Sequence, residues 1–196
     1  MEFLLGLDEA GRGPLAGPVC AGCVILSEDF PVEILKDSKK LTPKKRQIAE
    51  AAIKEKCCWG IGLVDHEEID KINILNASMK AMKLAFEMMM KKLPSWCEKN
   101  ALPVPSPEQL SAITDGTKCP DISCKVRCEP KADGKYYCVM AASIIAKEER
   151  DRIMIEYDKK YPEYGYARHK GYPTPEHKKI CRQTGPSPIQ RLTFKY

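Results

Sequence analysis

The chain is 196 residues long, 43% hydrophobic and 30% charged, with a formal net charge of +5. That length suits a single domain, residues 1–196, able to bury its own core, and no apolar run approaches the ~18 residues of a membrane helix. The opening MEFLLGLDEAG puts an acid at position 2 and few apolar residues after it, so no signal peptide is expected and the cytoplasm is the expected location.

Residues 2–7 read as a short strand ending at Asp8, and residues 19–26 (VCAGCVIL) as a second, rich in β-branched and small apolar side chains. Thr42 followed by Pro43 predicts a capped helix reaching about Lys56. Residues 57–64 (CCWGIGLV) form a third strand. Asp65 then caps a helix start at His66, with Glu67 and Glu68 as its acidic first turn. Residues 73–92 make a long amphipathic helix, with Ile74, Ala77, Ala81, Leu84, Ala85 and Met88 at helical spacing. Pro94, Pro103, Pro105 and Pro107 make residues 93–109 mostly loop. It is not a domain boundary, since neither side has strands enough for its own sheet. Strands resume at 110–114, ending on Asp115-Gly116, and at 122–128. Helices follow at 137–157 and 174–183, the last capped by Thr174. Strands first, then strands and helices interleaved, predict an α/β fold with a mixed sheet.

Ten cysteines would suggest disulfides in a secreted chain; here reduced, partly buried thiols are expected. Cys119, Cys124 and Cys128, with Cys138 beyond, lack the paired C-x2-C knuckles of a zinc site. Lysine and arginine gather in residues 36–46, 147–152 and 168–179, a distribution that suits a polyanionic partner. Glu148 and Glu149 read as a solvated helix face. His66, His169 and His177 have no metal-type spacing, and the last two read as surface or phosphate-side groups.

The stretch GLDEAGRGPLAGP (6–18) carries two signals. Gly11, Gly13 and Ala16 fit the G-x-G-x-x-A of a dinucleotide loop, but the helix such a loop must open is replaced by prolines and a strand, so a dinucleotide-dependent oxidoreductase is disfavoured. A tight Gly-Arg-Gly turn can instead gather backbone N–H groups into a nest for oxygen atoms. Asp8 ends one strand, Asp115 ends another, and Asp133 follows a third across a short turn. If those strands are neighbours, their carboxylates converge, and Mg²⁺ or Mn²⁺ take such oxygen ligands. Two ions about 3.5–4 Å apart would serve phosphodiester hydrolysis.

These segments resemble ribonuclease HII, the bacterial type 2 ribonuclease H. LDEAGRGPLAGPV (7–19) is similar to its first motif, and KDSKKLTPKKR (36–46) to its D-S-K-K-L segment. IDKINILNASMKAM (69–82), ITDG (113–116) and KADGKYYCVMAASIIAKEERD (131–151) follow in family order, then HKGYPTPEH (169–177) and GPSPIQRLTF (185–194). Family members commonly carry His where Gln190 stands, and a small residue or Asn where Lys36 stands.

The resemblance implies a ribonuclease H-like fold: a mixed five-stranded sheet flanked by helices, with roughly the last 40 residues a helical substrate-binding extension. It implies a divalent-metal endonuclease, using Mg²⁺ or Mn²⁺ and no small-molecule cofactor. Its substrates would be the RNA strand of RNA–DNA hybrids and single ribonucleotides in duplex DNA. Cutting 5′ of the ribonucleotide would leave 3′-hydroxyl and 5′-phosphate ends, serving removal of misincorporated ribonucleotides and RNA primers. Asp8, Glu9, Asp115 and Asp133 correspond to the catalytic, metal-ligating acids. Gly11, Arg12 and Gly13 correspond to the loop that reads the ribose 2′-hydroxyl, and Tyr172 to the tyrosine by the adjoining deoxyribose. Lys39 is expected on a phosphate. Ser143, Lys147, Arg150 and Asp151 share one helix face, which can turn toward the nucleic-acid backbone. A monomer is expected. A nucleic-acid-binding protein without activity is the alternative, opposed by the presence of all four acids.

Overall fold

The computed structural model describes residues 2–36, 38 and 40–195, so Lys39 lies outside the described residues. Five strands form one mixed sheet in the order β3-β2-β1-β4-β5. They are β1 (Phe3–Ala10), β2 (Val19–Ile25), β3 (Cys58–Val64), β4 (Leu110–Asp115) and β5 (Lys125–Glu129). Strands β1, β2 and β3 pair antiparallel, while β4 joins β1 in parallel and β5 joins β4 in parallel. The strands on either side of the proline-rich stretch therefore share one sheet. Strand β1 runs past Asp8 to Ala10, longer than predicted, because its last residues still pair with Ala21 and Cys20.

The principal helices are α1 (Pro43–Lys56), α2 (His66–Lys99) and α3 (Tyr137–Lys160), followed by the short α4 (Tyr166–His169) and α5 (Pro175–Thr184). Three helix starts are as predicted: Thr42, Asp65 and Thr174 accept from the backbone N–H three residues on. Helix α2 departs from expectation at its carboxyl end. It begins at His66, breaks at Asn73 (φ +66°), and restarts with the Asn73 side chain accepting from Leu75 and Asn76 N–H. It then continues through Pro94 to Lys99, where a loop was expected. Pro costs about 3 kcal/mol inside a helix, but Leu93 just before it and Trp96 and Cys97 beyond it are all buried. Each large apolar side chain returns about 1.5–3 kcal/mol, and the Trp96 indole also donates to the Lys56 carbonyl at 2.9 Å.

Helices lie on both faces of the sheet. On one, Gly60 and Gly62 of β3 face the α2 backbone so closely that a Cβ would collide with the Ala85 and Ala81 carbonyls. The core there joins Leu5, Leu7 and Ala21 to Ala81, Met82 and Met89. On the other, Gly6 and Gly22 admit α3 in the same way, against Cys138 and Ala142. Among the described residues, no helix is long and apolar enough to cross a membrane.

The cysteines require a correction. Cys119 and Cys128 are joined as a disulfide, their Cα atoms 5.6 Å apart, which lies within the span such a bridge takes. The turn after β4 folds back onto β5 and brings them together. The other eight are in no disulfide, and all but Cys124 are buried.

Candidate active site

Parallel pairing of Leu7 with Thr114 puts the next residues, Asp8 and Asp115, side by side at the carboxyl ends of β1 and β4. Successive side chains alternate across a sheet. Thr114 turns to Met82 on α2, so Asp8 and Asp115 turn to α3. Asp8 is 4% exposed and lies across from Gly22, which has no side chain to crowd it. Burial raises its carboxyl well above the ordinary range; the Glu9 charge and then Asp115 push the same way, while hydrogen bonds from Ser143 and the Glu9 N–H oppose them. The Glu9 N–H reaches Asp8 Oδ1 at 2.8 Å. Glu9 meets the Arg12 guanidinium at 3.3 Å. Asp115 Oδ1 accepts from the Ala132 N–H at 2.9 Å, tying the end of β4 to the 3-10 turn Ala132–Gly134 that carries the buried Asp133.

Among the described residues, no three Asp, Glu, His or Cys groups are already drawn into a closed metal cage. The donor chemistry nonetheless suits a hard divalent cation. Burial, and then the Glu9 and Asp115 charges, disfavour the ionised form of Asp8, and a cation between those oxygens is what would relieve their repulsion.

Beside the acids lies the glycine loop, with Gly11 at φ +105° and Gly17 at +81°. Arg12 is half exposed. A Cβ on Gly13 would stand 3.8 Å from the Tyr172 ring, so Tyr172, 39% exposed, flanks the loop. The two predicted elements, from opposite ends of the chain, thus adjoin.

The helix face carrying Ser143 and Arg150 points inward, contrary to expectation. Ser143 is 4% exposed; its hydroxyl is shared with Ser38 at 2.9 Å and with Asp8, so it holds a carboxylate and does not meet solvent. Arg150, 1% exposed, donates to the carbonyls of Ala16, Pro18 and Lys170. Lys147 is partly buried and paired with Asp151. Glu148 is also buried, not solvated, because Arg46 meets it at 2.6 Å. His169 and His177 are buried and stacked 4.3 Å apart, not surface groups. An i, i+4 pattern gives a face but not its direction, which the glycines under α3 decide.

Sequence reasoning missed Arg191, fully buried behind the glycine loop. Its place in GPSPIQRLTF was the signal available. Gln190 keeps a buried Nε2 without a partner among the described residues. A cavity of about 400 Å³ lined by Phe3, Leu4, Trp96 and Tyr136 holds none of the four acids.

The family model described as Ribonuclease HII matches residues 5–196. A ribonuclease HII of Treponema denticola is 49% identical over 196 residues, covering 98% of each chain. One from Caldanaerobacter subterraneus is 46% identical, covering 99% of this chain and 74% of that one. The fold is similar to ribonuclease H2 of Pyrococcus horikoshii (TM-score 0.67, 30% identity, 98% and 94% covered). It is also similar to the RNase HII of Archaeoglobus fulgidus solved in complex with PCNA (TM-score 0.68, 25% identity, 99% and 96% covered). Bst-RNase HIII in complex with Mn²⁺ shares the fold at 21% identity (TM-score 0.64, 98% and 67% covered).

Proposed function

The chain belongs to the ribonuclease HII family and is a ribonuclease H; from that premise we propose that Asp8, Glu9, Asp115 and Asp133 are its catalytic acids and hold its divalent metal. The observation that carries this is the juxtaposition of Asp8 and Asp115 at neighbouring strand ends, one buried among like charges. Bound there, Mg²⁺ or Mn²⁺ would lower the pKa of a water and offset charge building on the phosphate. The chain's own residues do the rest. Ser143 orients Asp8, and Ala132 N–H orients Asp115.

The substrate is the RNA strand of an RNA–DNA hybrid, or a ribonucleotide within duplex DNA, cut on its 5′ side. Gly11, Arg12 and Gly13 meet the 2′-hydroxyl, the group that separates RNA from DNA. The Tyr172 ring packs on the adjoining deoxyribose, where a further hydroxyl would crowd it. Lys39 and Lys147 act on phosphates. Ser143 leaves that set, since burial keeps it from a duplex. One domain, a single chain and a cytoplasmic setting complete the reading, with the helical C-terminal end forming part of the substrate face.

The test is a labelled duplex holding one ribonucleotide, incubated with each metal in turn and the cut mapped. Asp115→Asn is expected to abolish cleavage while duplex binding persists. Full activity in that variant, or activity undiminished by EDTA, sinks the metal assignment.

A further inference from the structure

Arg191 contributes no atom to the surface, yet its guanidinium meets four carbonyls of one loop. It donates to Gly11 at 2.7 Å, Arg12 at 3.2 Å, Pro14 at 2.9 Å and Gly17 at 2.9 Å. A trans peptide is planar, so a carbonyl and the N–H of the following residue point in opposite directions. Drawing the Gly11 and Arg12 carbonyls inward therefore turns the Arg12 and Gly13 N–H groups outward. The neighbouring loop carbonyls, Ala16 and Pro18, are held by Arg150, whose side chain fills the space a Gly11 Cβ would need.

We propose that Arg191 is a positioning residue, fixing the direction of the glycine-loop N–H groups and with it the recognition of a 2′-hydroxyl. This rests on the reading of that loop given above. Two guanidinium groups buried near each other repel, and burial with the Arg150 charge draws the Arg191 pKa below its ordinary value. Only a planar fork offers donors at fixed angles to several carbonyls. The segment bearing Arg191 is itself clasped. Its N–H donates to Leu15 O at 2.8 Å. Asp70 on α2 accepts from Leu192 N–H at 2.7 Å and Thr193 N–H at 3.1 Å. Asp70 thus acts on the loop through Arg191.

The experiment compares duplexes carrying one ribonucleotide or one 2′-fluoro nucleotide, since fluorine accepts a hydrogen bond poorly. Wild-type protein, R191K and D70A are each assayed for cleavage of both, for duplex affinity and for Tm. Wild type is expected to favour the ribonucleotide strongly. R191K keeps a cation without the fork; its preference is expected to fall at least about tenfold, with duplex affinity within about threefold. D70A should shift the preference in the same direction by less, and it decides the matter if R191K does not fold. An unchanged preference, with both substrates slowed alike, overturns the inference and leaves Arg191 a support for the fold. Equal cleavage of the two duplexes by wild type instead sinks the glycine-loop reading, and this inference with it.

Discussion

Asp115 Oδ1 and the Ala132 N–H are joined at 2.9 Å, so the acid ending β4 also holds the turn that presents Asp133. The two functions separate by substitution. Asn at 115 keeps an oxygen for the Ala132 N–H while removing the charge, whereas Ala removes both. Both variants are expected to lose cleavage. Only Asp115→Ala should also lose about 1 kcal/mol of stability, the net worth of such a bond. Urea unfolding of the pair checks this; equal stability in the two variants removes the tether.

The stacked His169 and His177 predict a loss of stability in acid. Gly171 N–H donates to His169 Nδ1 and Tyr164 O accepts at Nε2, fixing one neutral tautomer. His177 donates through Nδ1 to Tyr172 O at 3.0 Å, leaving a buried Nε2 without a partner among the described residues. Burial lowers both pKa values; hydrogen bonding to Tyr164 and the Glu176 and Asp158 charges oppose this at His169, while Arg168 adds to it. Because the unfolded chain takes up protons first, stability is complete above the ordinary histidine pKa and falls as pH drops toward the folded values. Tm should therefore decline from about pH 7 to about pH 5, and His177→Phe should flatten that decline. An identical slope in the variant removes the pair as its source.

Local chemistry made much of this fold legible, and long-range packing accounts for what was not. Thr42-Pro43, Asp65 and Thr174 announce their helices because a cap is a contact three residues long. Asp8 and Asp115 were readable as strand-end acids and Asp133 as an acid one turn beyond a strand, although only the β1–β4 register brings the first two together. Pro94 misled because the burial that outweighs it comes from Trp96 reaching Lys56, 40 residues away. Ser143 and Arg150 misled because helical spacing is silent about which face meets protein. Arg191 stands in the GPSPIQRLTF stretch, but its role was not legible there, since its side-chain partners lie 174 or more residues earlier in the chain.

Arg46 and Glu148 make a second asymmetric prediction. Their 2.6 Å pair is buried, and Arg46 also donates to the carbonyls of Ser38 and Leu41. Arg46→Met strands a buried carboxylate and should cost about 3–5 kcal/mol. Glu148→Gln keeps an oxygen acceptor and should cost about 1–2 kcal/mol. Chemical denaturation of both variants and of the double variant measures the coupling. Additive losses would mean that the pair contributes nothing beyond its two separate sites.

Gly22 lies directly across from Asp8 and beneath the Ala142 carbonyl of α3, and no side chain fits between. Gly22→Ala must push α3 off the sheet, since the obstacle is backbone and cannot rotate away. The cost expected is about 3 kcal/mol, at the upper end for an overpacked core. Gly134→Ala, with nothing within 4 Å of its Cβ, serves as control and should stay within about 0.5 kcal/mol. Displacing α3 also draws Ser143 away from Asp8, so the surviving folded fraction of Gly22→Ala should cleave more slowly than wild type. Full specific activity in that fraction would show that Ser143 does not orient Asp8, whatever the loss in Tm.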